Sequence, residues 1–319
     1  MEYSLEKENH SQVKPVFSIV IPIFNRAHGL PRTLDSIRAQ NFEKYETIVI
    51  DDGSSDDVEG VIGAYRKARF IFLRNDKNLG VGPTRNRGVR AASGDWIIFL
   101  DNEDCLLPHA LRKLDAIIQG CDEKIAAIFG RSTYLGQPRK GERQLATAIR
   151  GGFDQFVLNP FPYGGDSLPI VRRNILLRFP FDETLNTRRE CGGLVWYAIL
   201  RAGYECLWTQ EFLRHYELSP DGLSGRNYLA RNSAEMVICN ERIIETFGND
   251  LLRISRTHFV TLLQKTAFYC IMAGHRRRAI QHARNALRCD PTNMKTLFLF
   301  PLWAGGPWAA RHLYRIVTG

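Results

Sequence analysis

The sequence contains no C-x-x-C pair, and its seven cysteines are scattered and odd in number. This argues against a zinc site or a disulfide framework, and for a reducing cytosol. The first 14 residues, MEYSLEKENHSQVK, lack an apolar core. They read as a loose tail, neither a secretory leader nor a membrane anchor. Low-complexity tracts are missing too, so disorder is expected only at the termini. Acids are nearly absent from one end. From Leu251 to Gly319 a single acid, Asp290, stands among eleven lysines and arginines, although the whole chain carries only +9. Such asymmetry suits a polyanionic partner or surface. With 319 residues, 44% of them hydrophobic, the chain can build one main domain with an appendage.

What is present is a regular alternation. FSIVIPI (17–23), YETIVI (45–50), FIFL (70–73) and WIIFL (96–100) are short apolar runs, rich in β-branched residues, that read as buried strands. Helical patterns separate them: one with Leu30, Leu34 and Ile37 on one face, one over 58–65 and one over 84–92. Continuous apolar strands alternating with helices imply a mostly parallel sheet covered on both faces. Ligands of such sheets bind beyond the carboxyl ends of the strands. Three polar clusters lie at those ends: FNR after the first strand, DDGS after the second and DNED after the fourth. Helices are also expected over 110–118 and 194–202, around a Gly/Pro-rich stretch (151–169) that reads as a long binding loop. From about residue 226 the chain reads as helical. Residues 267–293 resemble a single tetratricopeptide-type helix pair, one hairpin rather than a solenoid.

The clusters have definite chemistry. Asp101, Glu103 and Asp104 would repel one another without compensating charge. Hard oxygen donors of this kind suit Mg²⁺ or Mn²⁺, and such an ion stabilises a departing diphosphate. The alternative is a solvated acidic turn. Asp51 and Asp52 offer acceptors to a base N–H or a ribose hydroxyl; the alternative is capping of the next helix. Arg85, in the loop NLGVGPTRNRG, suits a diphosphate.

FSIVIPIFNR, ETIVIDDGSSDD, NLGVGPTRNRGVRAASGDWIIFLDNED and a later FDETL…E together resemble family 2 of the inverting glycosyltransferases. The resemblance is dense over 17–107 and patchy over 180–224. It implies a GT-A fold: a Rossmann-like, mostly parallel sheet with helices on both faces, here followed by a C-terminal helical extension. It implies a catalytic domain over 15–225, with a nucleotide-sugar half (15–108) and an acceptor half (109–225), then a basic helical region over 226–319. Pro22, Phe24, Asn25 and Arg26 would line the nucleotide pocket. Asp51 and Asp52 would hold base and ribose, and Arg85, Asp101 and Asn102 would lie beside the donor. Glu103, with Asp101, would form the D-x-D-type motif for Mn²⁺ or Mg²⁺, and His215 would stand near the metal or diphosphate. Glu190 would be the general base. The family's E-D pair reads Glu190-Cys191 here, so an ion pair of Glu190 with Arg188 or Arg189 stays open as the alternative.

The resulting expectation is a metal-dependent inverting hexosyltransferase. It moves a sugar from a nucleotide sugar, by resemblance a UDP-sugar, to a glycan or lipid-linked glycan. A catalytically silent nucleotide-sugar-binding scaffold is the alternative. Nucleic-acid binding ranks last, because it leaves the acidic clusters without a role. Trp196, Tyr197 and Trp208 offer faces for acceptor sugars, with core packing as the better default. LFLFPLWAGGPWAA (297–310) is apolar and flanked by Lys295 and Arg311. At 14 residues it is too short for a bilayer, which takes roughly 20. It suits either a docked helix or an anionic membrane surface, which would place the protein in the cytoplasm at the inner membrane face.

Overall fold

A computed structural model describes residues 14–312, except 66–69, 135–146, 161, 163–165, 186, 190, 192, 218–231, 294–295, 297–304, 309 and 311. The chain divides into two compact units, Met1–Glu190 with Val195–Glu217, and Cys191–Leu194 with Leu218–Gly319.

The first unit is built on one nine-stranded sheet in the order β3-β2-β1-β4-β8-β6-β9-β5, with β7 pairing β9. Strands β1 (Phe17–Ile23), β2 (Tyr45–Asp51), β3 (Phe70–Arg74) and β4 (Trp96–Phe99) are all parallel. The apolar runs of β1, β2 and β4 are buried on both faces, as parallel strands under helices require, while β3 at the sheet edge is half-buried. Helices α1 (Leu30–Arg38), α2 (Val58–Gly63) and α3 (Val81–Ala91) make the crossovers. α1 buries Leu30, Leu34 and Ile37, the face expected from its spacing.

Beyond β4 the sheet is mixed. β5 is Cys105–Leu106, β6 Ile125–Tyr134, β7 Ile149–Gly151, β8 Ser167–Arg172 and β9 Glu205–Tyr216. β8 runs antiparallel to β4 and β6, β9 runs parallel to β6, and β5 and β7 run antiparallel to β9. Helices α4 (Ala110–Ile118), α5 (Phe153–Leu158), α6 (Arg173–Arg178) and α7 (Gly193–Arg201) complete the order. The stretch 151–169 is therefore not one long loop: it holds α5 and the start of β8. Glycines and prolines masked a helix that is only six residues long, below the length at which periodicity speaks. Trp208 is fully buried, stacked on Phe129 and Phe156, and its indole N–H donates to the Pro160 carbonyl. Tyr197 packs edge-on against Phe153 and Phe156. Both are core residues rather than sugar platforms.

The second unit contains α8 (Ser233–Ile254), α9 (Arg256–Met272) and α10 (Arg276–Cys289). Ser255 caps α9 by accepting from the His258 N–H, and Gly274, at φ +82°, makes the turn into α10. A small core of Val237, Cys270, Ile271, Met272, Ala279 and Ala310 holds these helices. Cys191 and Cys239 form a disulfide within this unit. One disulfide therefore stands where the scattered, odd-numbered cysteines argued against a disulfide framework. The two cysteines are 48 residues apart and belong to no recognisable spacing pattern. Most of 297–310 lies outside the described residues. No helix among the described residues is long and apolar enough to cross a membrane.

Candidate active site

Register brings the three polar clusters together. Ile23 at the end of β1 pairs with Asp51 at the end of β2, which sets FNR beside DDGS. The β1–β4 ladder ends at the pair Val20–Phe99, two residues before Pro22. Pro22 has no N–H to extend a ladder, so β4 is released there and turns into DNED.

Hydrogen bonds then stitch the clusters. Asn25 adopts the left-handed conformation, at φ 52°, which suits its short polar side chain. Its N–H donates to Ser54 Oγ at 2.9 Å, and its Oδ1 accepts from the Ser55 N–H at 2.8 Å. Asn102 Nδ2 donates to the Arg26 carbonyl at 3.0 Å. Arg26 Nη1 donates to both oxygens of Glu103 at 2.8 Å, with His28 Nε2 3.5 Å away. Gly29 lies so close that a Cβ there would stand 2.7 Å from Glu103 Cγ. Phe24 is 39% exposed beside them.

The two aspartates after β2 differ. Asp51 is fully buried. Its Oδ1 accepts from the Ser54 N–H, while Oδ2 has no hydrogen-bond partner and lies 3.2 Å from Arg74 Nη1. An orphaned buried carboxylate oxygen is an acceptor that a base N–H would satisfy. Asp52 instead braces the chain: it accepts from Asn75 Nδ2 and from the backbone N–H of Leu79 and Gly80. Neither caps α2; Asp57 does, accepting from the Gly60 N–H.

Asp52 thereby fixes the Gly-rich loop against the segment that leads to Glu190. Val81 N–H donates to the Arg188 carbonyl at 3.0 Å. Gly80 has φ +93°, and a Cβ there would meet the Thr187 carbonyl at 2.4 Å. Gly80→Ala is therefore expected to destabilise the protein by about 2 kcal/mol or more, a loss of Tm in thermal unfolding. Glu190 itself lies outside the described residues. Arg85 sits over the Phe99 and Phe181 rings and reaches Asp101 Oδ1 at 3.2 Å.

Asp104 is not a free ligand. It is buried, and its Oδ2 accepts from Arg214 Nη1 at 2.9 Å while Oδ1 accepts from the Glu217 N–H at 3.0 Å. Arg214 also donates to Asp166 and to Ser132 Oγ. Burial pushes the Asp104 carboxyl up to about 7, against the pull of Arg214 and with Asp101 and Asp166 adding to the rise. Burial lowers the Arg214 pKa, but Asp166, Asp104 and Asp101 together hold it above its ordinary value. β5 pairs Cys105 with His215, so the DNED turn, which leads directly into β5, lies next to the strand that carries His215. His215 faces Thr133 Oγ1 at 3.3 Å and Glu217 at 3.6 Å. Among the described residues, the ligand atoms of Asp101, Glu103 and His215 are not gathered within 4.8 Å of one another.

The family model for glycosyl transferase family 2 matches residues 18–194, more than half of the chain, including the FNR, DDGS and DNED clusters. The chain belongs to glycosyl transferase family 2. Among curated relatives, the GalNAc(5)-diNAcBac-PP-undecaprenol beta-1,3-glucosyltransferase of Campylobacter jejuni is 37% identical over 119 residues, 36% of this chain and 38% of that one. The chain matches only about a third of the length of several such relatives. The structure resembles TarS 1–349 of S. aureus in complex with UDP-GlcNAc, with a TM-score of 0.62 at 16% identity, covering 94% of this chain and 90% of that one. It also resembles the mannosyltransferase PcManGT of Pyrobaculum calidifontis in complex with GDP-Man and Mn²⁺, with a TM-score of 0.57 at 14% identity, covering 96% and 87%. At these identities the likeness establishes the GT-A fold. Within this family 2 chain, the sequence did not reveal the Arg214–Asp104–Asp166 cluster or the bracing role of Asp52. Both join residues far apart in sequence, and only the composition DNED hinted at a buried countercharge.

Proposed function

We propose that this chain is a metal-dependent inverting transferase. It moves a hexose from a nucleotide sugar, UDP-linked, to a hydroxyl of a glycan or lipid-linked glycan in cell-surface polysaccharide synthesis. The observation that carries the reading is the hydrogen-bonded convergence of FNR, DDGS and DNED at the strand ends. In this reading the base stacks near Phe24 and donates to Asp51, with Asp52 supporting through the loop it braces. Pro22, Asn25, Arg26, Asp101, Asn102 and Arg85 line the path to the diphosphate.

The residues fit a divalent cation. Asp101 is half exposed and Glu103 keeps 21% exposure, and both are hard oxygen donors now balanced by guanidinium groups. Glu103 and Asp101 would hold Mn²⁺ or Mg²⁺, with His215 beside them. The ion would supply charge stabilisation to the leaving nucleoside diphosphate. Arg26 and Arg85 then turn from their carboxylates toward phosphate oxygens, which suit a planar guanidinium. Glu190 accepts the proton of the acceptor hydroxyl as that oxygen attacks the anomeric carbon. The bond to the diphosphate oxygen breaks in the same step, and the configuration inverts. The basic end of the chain would meet an anionic membrane surface carrying the acceptor; Trp308 there is 76% exposed.

The test is calorimetric binding of a panel of nucleotide sugars with Mn²⁺, Mg²⁺ or chelator. Metal-dependent binding of one donor is expected, weakened about 100-fold in Glu103→Ala, the size of a lost charged contact. No binding of any donor with either metal would overturn the reading. Binding without turnover on any acceptor would favour the scaffold.

A further inference from the structure

Outside the strand-end site, the second unit gathers an unexpected set of donors. Glu241 comes from α8, Cys270 from α9 and His282 from α10. One ligand-type atom from each lies within 4.8 Å of the other two. The cluster is enclosed: Cys270 is fully buried and His282 is 8% exposed. His282 Nε2 stands 2.9 Å from Glu241 Oε1. Its other ring nitrogen, Nδ1, is buried with no hydrogen-bond partner.

This arrangement is costly for a metal-free helical core. A buried imidazole pays for each unsatisfied nitrogen, and a buried thiol beside a carboxylate gains nothing from it. Burial, then the Glu241 charge, push the Cys270 thiol up to about 12. Hydrophobic side chains would pack these three positions at lower cost.

We propose that Glu241, Cys270 and His282 form a second metal site, of the zinc type, separate from the divalent site of the reaction. The mixed O, S and N donor set selects a borderline-soft ion over Mg²⁺ or Mn²⁺, which take oxygen. Tetrahedral zinc holds its ligand atoms roughly 3.2–3.7 Å apart, so three atoms no more than 4.8 Å from one another reach that spacing by small side-chain shifts. The thiolate and the carboxylate together balance the two charges of the ion. Arg278, which donates through Nε at 3.0 Å and through Nη2 to Glu241, remains as an outer partner that orients the carboxylate. Three protein ligands leave a fourth position for water. The ion would link three helices, so its binding free energy adds to their folding.

The experiment uses the full chain, stripped with chelator and titrated with Co²⁺ as the probe. The expected result is a near-ultraviolet cobalt–thiolate band saturating at one ion per chain, removed by Zn²⁺, and a Tm raised by Zn²⁺. Cys270→Ser and His282→Gln should abolish the band, while Glu103→Ala should leave it intact. Circular dichroism identifies a variant that fails to fold, and the wild-type titration then decides alone. No thiolate band in the wild type would overturn the proposal. So would a band that persists in folded Cys270→Ser or His282→Gln, which would assign it to another cysteine.

Discussion

Glu190→Gln is expected to lower turnover by about 10²–10⁴-fold while donor affinity stays at the wild-type value. The substitution keeps the size and removes the basicity. A group that takes a proton only in the transition state affects kcat and kcat/KM together and leaves ground-state binding alone. The acid limb of the pH–rate profile should vanish with it, because that limb reports the ionisation of the base. The segment reaching Glu190 is anchored at Thr187 and Arg188 against Gly80 and Val81, so the variant should keep its fold. Donor calorimetry and product formation, measured on one preparation, separate the two effects. Unchanged turnover would assign the base elsewhere. Loss of donor binding would make Glu190 a binding residue.

Arg214→Met should cost about 3–5 kcal/mol of stability, because it strands carboxylates that a buried guanidinium now neutralises. For a unit of this size that is roughly 10 °C of Tm. The deficit should depend on pH with a definite sign. Asp104 already titrates above its ordinary value of 3.8, and removing the cation raises its folded pKa further. An acid whose folded pKa exceeds its unfolded one binds its proton more tightly in the folded chain. Its contribution is therefore favourable at low pH and is lost as pH rises from about 4 through the folded value. The variant should come closest to the wild type near pH 5 and fall furthest behind near pH 8. Thermal unfolding across that range checks it. A deficit independent of pH would mean that packing, not charge, dominates at this position.

The first half of the fold was legible because its signals are local. Four apolar runs gave β1 to β4, and the topology of parallel sheets then placed their polar ends on one edge. Ala110–Ile118 stood out through an apolar face with correct spacing. The acceptor half was less legible. α5 is too short to show a period, and β5 is a two-residue strand that only its partner β9 defines. Within the site, the residue types pointed to the chemistry but not to their partners. DDGS reads as a cap from its composition, yet Asp52 spends its oxygens on Leu79 and Gly80. DNED reads as a set of ligands, yet Asp104 is committed to Arg214, 110 residues away. Pairings of that kind arise from strand register, which no local window contains.

The disulfide has a practical side. Cys191 follows Glu190 directly in the chain and is bonded to Cys239, while Cys105, Cys121, Cys206, Cys270 and Cys289 remain thiols. Dithiothreitol added to keep those thiols apart also acts on the one bond next to Glu190 in the chain. A stock kept with reductant and a stock kept without it are then two substances under one label, differing by two hydrogen atoms. Intact mass, read before each assay, tells which of them is in the tube.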